Sequence, residues 1–123
     1  MKVIITGSTG MVGKGVLLQC LDDNRISKVL VVNRSPIEIE HIKIKEIICE
    51  DFLNLENYKK DFIGYDACFH CMGISVVGSS HEYYKKSIYD ISKIITDLVF
   101  EGNKNSVFNY VTGEGTDSSE KGP

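Results

Sequence analysis

The chain has 123 residues, a formal net charge of -3, 42% hydrophobic residues and 25% charged ones. That length makes one domain, large enough to bury roughly two-thirds of its unfolded surface. The composition is ordinary for a globular protein, the slight acidity gives no general attraction to nucleic acid or an anionic membrane, and no apolar stretch approaches a membrane span.

The chain opens MKVIITGSTGMVG. A strand is expected over residues 2–6, running into Gly7, Gly10 and Gly13. A helix over 11–23 follows at once, with Val16, Leu17, Cys20 and Leu21 at helical spacing. Strand, glycine turn and helix in this order cradle a dinucleotide pyrophosphate. Gly7 permits the tight exit from the strand, Gly10 lets the backbone approach the phosphates, and Gly13 lets the helix pack close to the strand. Ser8, Thr9, Met11 and Val12 complete the turn and the first helical residues. A helix start presents unpaired N–H groups and a partial positive charge to an anion. The plainer alternative is a glycine-rich turn opening an ordinary α/β crossover. No signal-peptide pattern precedes the strand, so a cytoplasmic location is expected by default.

Asp22-Asp23-Asn24 stops the helix. Lys28 to Asn33 is a second apolar, β-branched run, broken by Ser35-Pro36. Ile37 to Lys45 alternates apolar and charged residues and reads as a loop or a short exposed strand. Glu46 to Cys49 reads as strand three. Asn54 is the expected N-cap of a short helix, LENYKKDFI, with Asn57 in place of the Glu or Gln of a capping box. Gly64 ends that helix, and Asp66 to Met72 forms strand four.

Gly73 to Ser80 reads as a loop. His81 to Glu101 is the longest helix, its buried stripe marked by Tyr84, Ile88, Ile91, Ile95 and Leu98. Gly102 ends it. Tyr83, Val99 and Phe100 extend its apolar surface beyond that stripe. Ser106 to Val111 is strand five, and Gly113 to Pro123 is a tail without an apolar residue. Buried strands alternating with helices imply an α/β, doubly wound parallel sheet of about five strands in the order 3-2-1-4-5. The domain is placed at residues 1–112 and the polar tail at 113–123.

The four cysteines are Cys20, Cys49, Cys68 and Cys71. Cys68 and Cys71 form a C-x-x-C, but inside a strand these positions face opposite ways, so they read as core residues rather than a redox pair or a metal site. No metal site is expected. His70 reads as a packed strand-end histidine. His41 and His81 belong to no recognisable constellation.

Cofactor choice is legible at the end of strand two. A carboxylate there favours NAD through the ribose 2′-hydroxyl. This chain has Asn33 and Arg34 instead, and a guanidinium can fork onto a 2′-phosphate. NADP is therefore favoured, with NAD the alternative. Replacing Asn33 by aspartate is expected to push the preference toward NAD. Asp51 and Phe52 follow strand three beside the adenine end, where Asp51 either accepts from the adenine amino group or is an exposed loop acid. Cys71, Met72 and Gly73 leave strand four at the same edge, with Ser75 nearby.

TGSTGMVG, the Asn-Arg after strand two, EDF after strand three, HCMGIS after strand four and YVTGEGTDSSEKG after strand five resemble the short-chain dehydrogenase/reductase superfamily. Its extended and atypical branches, the nucleoside-diphosphate-sugar epimerase-like proteins, share the TGxxGxxG form. The resemblance implies a Rossmann fold, NAD(P) binding, and a hydride-transferring oxidoreductase or epimerase. It implies a Ser or Thr at the end of strand five, which Thr112 matches as a catalytic position. It also implies a Tyr-x-x-x-Lys in the following helix, which this sequence lacks. Tyr89 and Lys93 have that spacing but precede strand five, and read as helix packing and a solvated charge. The chain thus looks like the N-terminal part of a longer enzyme. The alternative is a non-catalytic NADP-binding sensor or scaffold module. The substrate is not legible. Strand five, as a sheet edge, together with apolar surface on the long helix, makes a homodimer the expected association.

Overall fold

Two apolar runs, Lys2–Thr6 (β1) and Lys28–Asn33 (β2), form the middle of a five-stranded parallel sheet. A computed structural model of the chain describes residues 1–8, 11–71 and 81–111, and of residues 81–88 the backbone alone. The remaining elements are a helix over Met11–Asp22 (α1), strands Ile44–Ile48 (β3), Ala67–His70 (β4) and Val107–Tyr110 (β5), a 3-10-helical stretch over Phe52–Phe62, and a helix over His81–Gly102 (α2). The strand order β3-β2-β1-β4-β5 is the one expected from the alternation of elements. Among the described residues no helix is long and apolar enough to cross a membrane.

Because side chains alternate along a strand, each central strand feeds two cores. Val3, Ile5, Val29 and Val31 pack with Leu17 and Cys20 of α1. Ile4, Leu30, Val32 and Cys68 pack on the other face with Leu55 and Phe62 of the 3-10 stretch and Ile95, Leu98 and Val99 of α2. Both faces of the sheet are therefore covered, which is why β1 and β2 read as continuous apolar runs. Cys68 and Cys71 fall on opposite sides, as their strand spacing requires. All four cysteines are buried free thiols. Burial pushes the Cys71 thiol up to about 11 and raises that of Cys68 further, leaving neither a nucleophile.

Several boundaries differ from the sequence expectation, each for a local reason. Strand three begins at Ile44 rather than Glu46, because Ile44 and Lys45 pair with Val29 and Leu30 of β2. Its Ile47 is buried while Lys45 and Glu46 are exposed, the pattern of an edge strand. Asp51, not Asn54, caps the 3-10 stretch: its Oδ1 accepts from the Leu53 N–H at 3.0 Å. Asn54 lies inside the first turn, its N–H donating to the Asp51 carbonyl. The stretch is broken at Tyr58, so no continuous α-helix forms there.

α1 stops at Asp22, where the Lys43 ammonium donates to the carbonyls of Leu21 and Asp23. Gly102 remains inside α2 and is not left-handed. Its lack of a side chain instead admits the Phe62 carbonyl oxygen, which would stand 2.6 Å from an added Cβ. β4 spans only Ala67–His70, and β5 only Val107–Tyr110, although Cys71 and Val111 still donate their N–H groups to Thr6 and His70.

The outward side of α2 also departs from expectation. Val99 is 1% exposed and belongs to the core. Burial of such a side chain contributes roughly 1.5–3 kcal/mol. Tyr89 is 67% exposed and does not pack, while Lys93 pairs with Asp97 at 3.1 Å. The side chains of Tyr83, Tyr84 and Ile88 lie outside the described residues. β5 is at the edge of the described sheet with Val107 exposed.

Candidate functional site

Parallel strands deliver their carboxyl ends to one edge, and the order β2-β1-β4 puts the reversal of winding between β1 and β4. Ligands of such sheets bind outside that reversal. Thr6 ends β1 there, paired with Val32 on one side and His70 on the other. The chain leaves β1 through Gly7, whose φ of +74° is open to glycine and strained for other residues. The Gly7 N–H still donates to the Val32 carbonyl at 3.2 Å, so the turn begins anchored to β2.

The next residue is held more firmly. The Ser8 N–H donates to Asn33 Oδ1 at 2.8 Å. The Ser8 hydroxyl donates to the same oxygen at 3.1 Å and accepts from Asn33 Nδ2 at 2.8 Å. Both residues are buried, at 2% and 1% exposure. Gly13, in the first turns of α1, lies so close to this segment that an added Cβ would overlap the Gly7 carbonyl oxygen and stand 2.9 Å from Ser8 Cα. The close helix–strand approach expected of the third glycine is present. Met11 and Val12 open α1, and the Met11 side chain is almost wholly exposed.

Beneath the edge lies a polar chain. Thr6 Oγ1 and His70 Nδ1 are 2.6 Å apart, and His70 Nε2 is 3.0 Å from Ser92 Oγ of α2. A neutral imidazole donates from one nitrogen and accepts at the other, so both contacts are satisfied without charge. His70 is wholly buried, with Phe108 and Tyr110 rings beside it. Burial pulls its pKa down to about 4. It is a packed strand-end histidine, as its position indicated.

The other expected site residues divide clearly. Arg34 is exposed directly after Asn33 and has no ion-pair partner among the described residues. Asp51 has one carboxylate oxygen engaged as a cap, and Phe52 is 2% exposed in the core, so its ring is not available at the adenine end. Cys71 is buried on the α1 side of β4. Thr9, Gly10, Met72, Gly73, Ser75 and Thr112 lie outside the described residues. Sequence reasoning did not find the Asn33–Ser8 lock or the Thr6–His70–Ser92 chain. The only signal for either was a polar residue ending an apolar strand.

The residues present suit a dinucleotide. The turn begins at a glycine with positive φ, and the helix it leads into carries in its first turn a glycine whose place no Cβ could share. A pocket of about 150 Å³ between the 3-10 stretch and α2 does not compete, because Glu56, Asp97 and Glu101 line it and carboxylates repel phosphate.

The model of the NAD dependent epimerase/dehydratase family matches residues 3–114. Protein HTATIP2 of Rattus norvegicus is 28% identical over 120 residues, covering 96% of this chain and 49% of that protein. The chain thus spans about half the length of this curated relative. Among solved structures, the ADP-L-glycero-D-manno-heptose-6-epimerase of Helicobacter pylori is similar with a TM-score of 0.69 at 21% identity, over 99% of this chain and 42% of that one. A short chain dehydrogenase of Leptospira borgpetersenii with bound NAD+ is similar with a TM-score of 0.62 at 20% identity, over 89% of this chain and 50% of that one. With most of its length matched, this chain belongs to the NAD dependent epimerase/dehydratase family and is a dinucleotide-binding domain of Rossmann type.

Proposed function

We propose that the chain binds NADP(H), with the Gly7–Gly13 turn and the start of α1 on the pyrophosphate and Arg34 on the adenosine 2′-phosphate. One observation carries the choice of NADP. The carboxamide of Asn33 faces inward to Ser8, no carboxylate stands in its place, and the next side chain is an exposed guanidinium. When bound, the cofactor supplies a nicotinamide that accepts or donates hydride. This chain's residues bind and orient it. Gly7 and Gly13 keep the turn close to β1, and the N–H groups at the start of α1 would hold the phosphates. In the longer protein that its relatives represent, the domain would serve an oxidoreductase or epimerase, with Thr112 as a substrate-orienting position.

Thermal melts test this directly. NADP at one hundred times its Kd is expected to add about 2.7 kcal/mol of stability. Arg34→Ala should weaken NADP far more than NAD, because only NADP carries the extra phosphate. No shift with either dinucleotide, or an equal loss of both in the variant, would count against the assignment.

This chain alone is expected to show no hydride transfer. Tyr89 stands exposed on α2 and Lys93 is engaged by Asp97, so the pair makes no acid–base unit beside the turn. Turnover that disappears in Tyr89→Phe would overturn that expectation.

A further inference from the structure

The orientation of the Asn33 amide is settled by its surroundings. The atom facing the Ser8 N–H must be an acceptor, so Oδ1 points at the turn and Nδ2 reaches the Ser8 hydroxyl. The side chain is 1% exposed, and its hydrogen bonds to Ser8 use both of its polar atoms. Turning outward to a ribose would leave the Ser8 N–H buried without an acceptor, a costly exchange. The Gly7 N–H is meanwhile tied to Val32, so two successive N–H groups of the turn are anchored on the last two residues of β2.

We propose that Asn33 is a positioning residue: its carboxamide holds the start of the glycine turn in the conformation that receives a pyrophosphate, and it reads neither ribose nor 2′-phosphate. This deepens the dinucleotide-binding reading and rests on it. It also replaces the expectation that Asn33 is the place where NAD is selected against NADP. Selection falls to Arg34, one residue beyond the buried part of β2.

The test compares NADP, NAD and adenosine 2′-monophosphate, which carries the 2′-phosphate and no pyrophosphate. Binding to the wild-type chain, Asn33→Ala, Ser8→Ala, the double variant and Arg34→Ala is measured by calorimetry or ligand-observed NMR. Asn33→Ala is expected to lower NADP and NAD affinity by the same factor, about tenfold. The NADP-to-NAD ratio and the affinity for adenosine 2′-monophosphate should not change. The double variant should lose no more than Asn33→Ala, because Ser8→Ala removes only the two hydroxyl bonds of a lock that Asn33→Ala removes whole. A changed ratio, an equal loss of adenosine 2′-monophosphate, or additive losses would overturn the proposal.

If Asn33→Ala does not fold, Ser8→Ala carries the test: with the Ser8 N–H still on Asn33 Oδ1 and the hydroxyl bonds lost, it should weaken both dinucleotides by one equal factor, smaller than tenfold, and spare adenosine 2′-monophosphate. If Arg34→Ala leaves the NADP-to-NAD ratio untouched, the NADP assignment fails while the Asn33 proposal stands. If the wild-type chain takes NAD but no 2′-phosphate, adenosine replaces adenosine 2′-monophosphate as the ligand without a pyrophosphate. A wild-type chain that binds no dinucleotide sinks both.

Discussion

Gly13→Ala should destabilise the fold by about 3 kcal/mol and remove dinucleotide binding with it. A Cβ at Gly13 would overlap the Gly7 carbonyl oxygen and stand 2.8 Å from the Gly7 carbonyl carbon and 2.9 Å from Ser8 Cα. All three neighbours are backbone atoms, so no rotamer change relieves the clash. The helix must move off the turn, or the turn off the strand. Movement of the turn would pull Ser8 from Asn33 and Gly7 from Val32, which are the bonds that shape the site.

Gly15 provides the control. It lies on the exposed side of the same helix, with nothing within 4 Å of an added Cβ. Gly15→Ala should therefore stabilise by ~0.5–1 kcal/mol through helix propensity alone. Denaturant midpoints of the two variants, at unchanged m-value, are the comparison. If both shift the same way, the close approach of α1 to the turn is not a property of the folded chain.

The contrast between these glycines shows what kind of information the sequence carries. Gly7 and Gly13 are legible because the fold demands glycine at fixed spacing after an apolar run, and local chemistry states that demand. β2 reads as a strand for a similar reason: Leu30, Val31 and Val32 are buried from both faces, so the run is apolar without alternation. The strand order then follows from the handedness of crossovers.

Pairings between distant residues are less legible. Whether Asn33 reaches outward to a ribose or inward to Ser8 depends on a contact across 25 positions. Asn54 looks like a cap by residue type, but Asp51 comes first as the chain leaves β3 and takes the N–H of Leu53. Ile44 and Lys45 end an alternating run that reads equally as a loop or a short exposed strand, and only the pairing with β2 decides for the strand. Phe52 followed the expected path to the sheet edge in sequence but turned into the core, since a 3-10 turn points its ring back beneath the strands. Val99 lies beyond the stripe that helical spacing marks on α2, yet it is 1% exposed. The 3-10 stretch packs against that helix as well as the sheet does, which widens the buried face.

Stability should fall as the pH drops from 6.5 toward 4, and His70 should be the cause. In the unfolded chain a histidine takes up its proton near pH 6.5, whereas in the folded chain burial lowers the value to about 4. Between those values the unfolded state binds a proton that the folded state does not. Stability is then fully present above pH 6.5 and is lost progressively down to about pH 4, below which His70 contributes no further change. The total is about 3 kcal/mol. The loss comes from burying a charge rather than from a broken hydrogen bond, because the hydroxyls of Thr6 and Ser92 can both turn to accept from an imidazolium.

His70→Gln keeps a donor and an acceptor at the position and removes the titration. Its denaturation free energy should be nearly flat over the same window, whatever its absolute value. Asp23, held down to about 2 by hydrogen bonds from Arg25, titrates below this window and is common to both proteins. The difference between wild type and variant, measured by denaturant titration at half-unit pH steps, isolates the histidine. Parallel loss of stability in the two would show that the ring is not held neutral between β1 and α2.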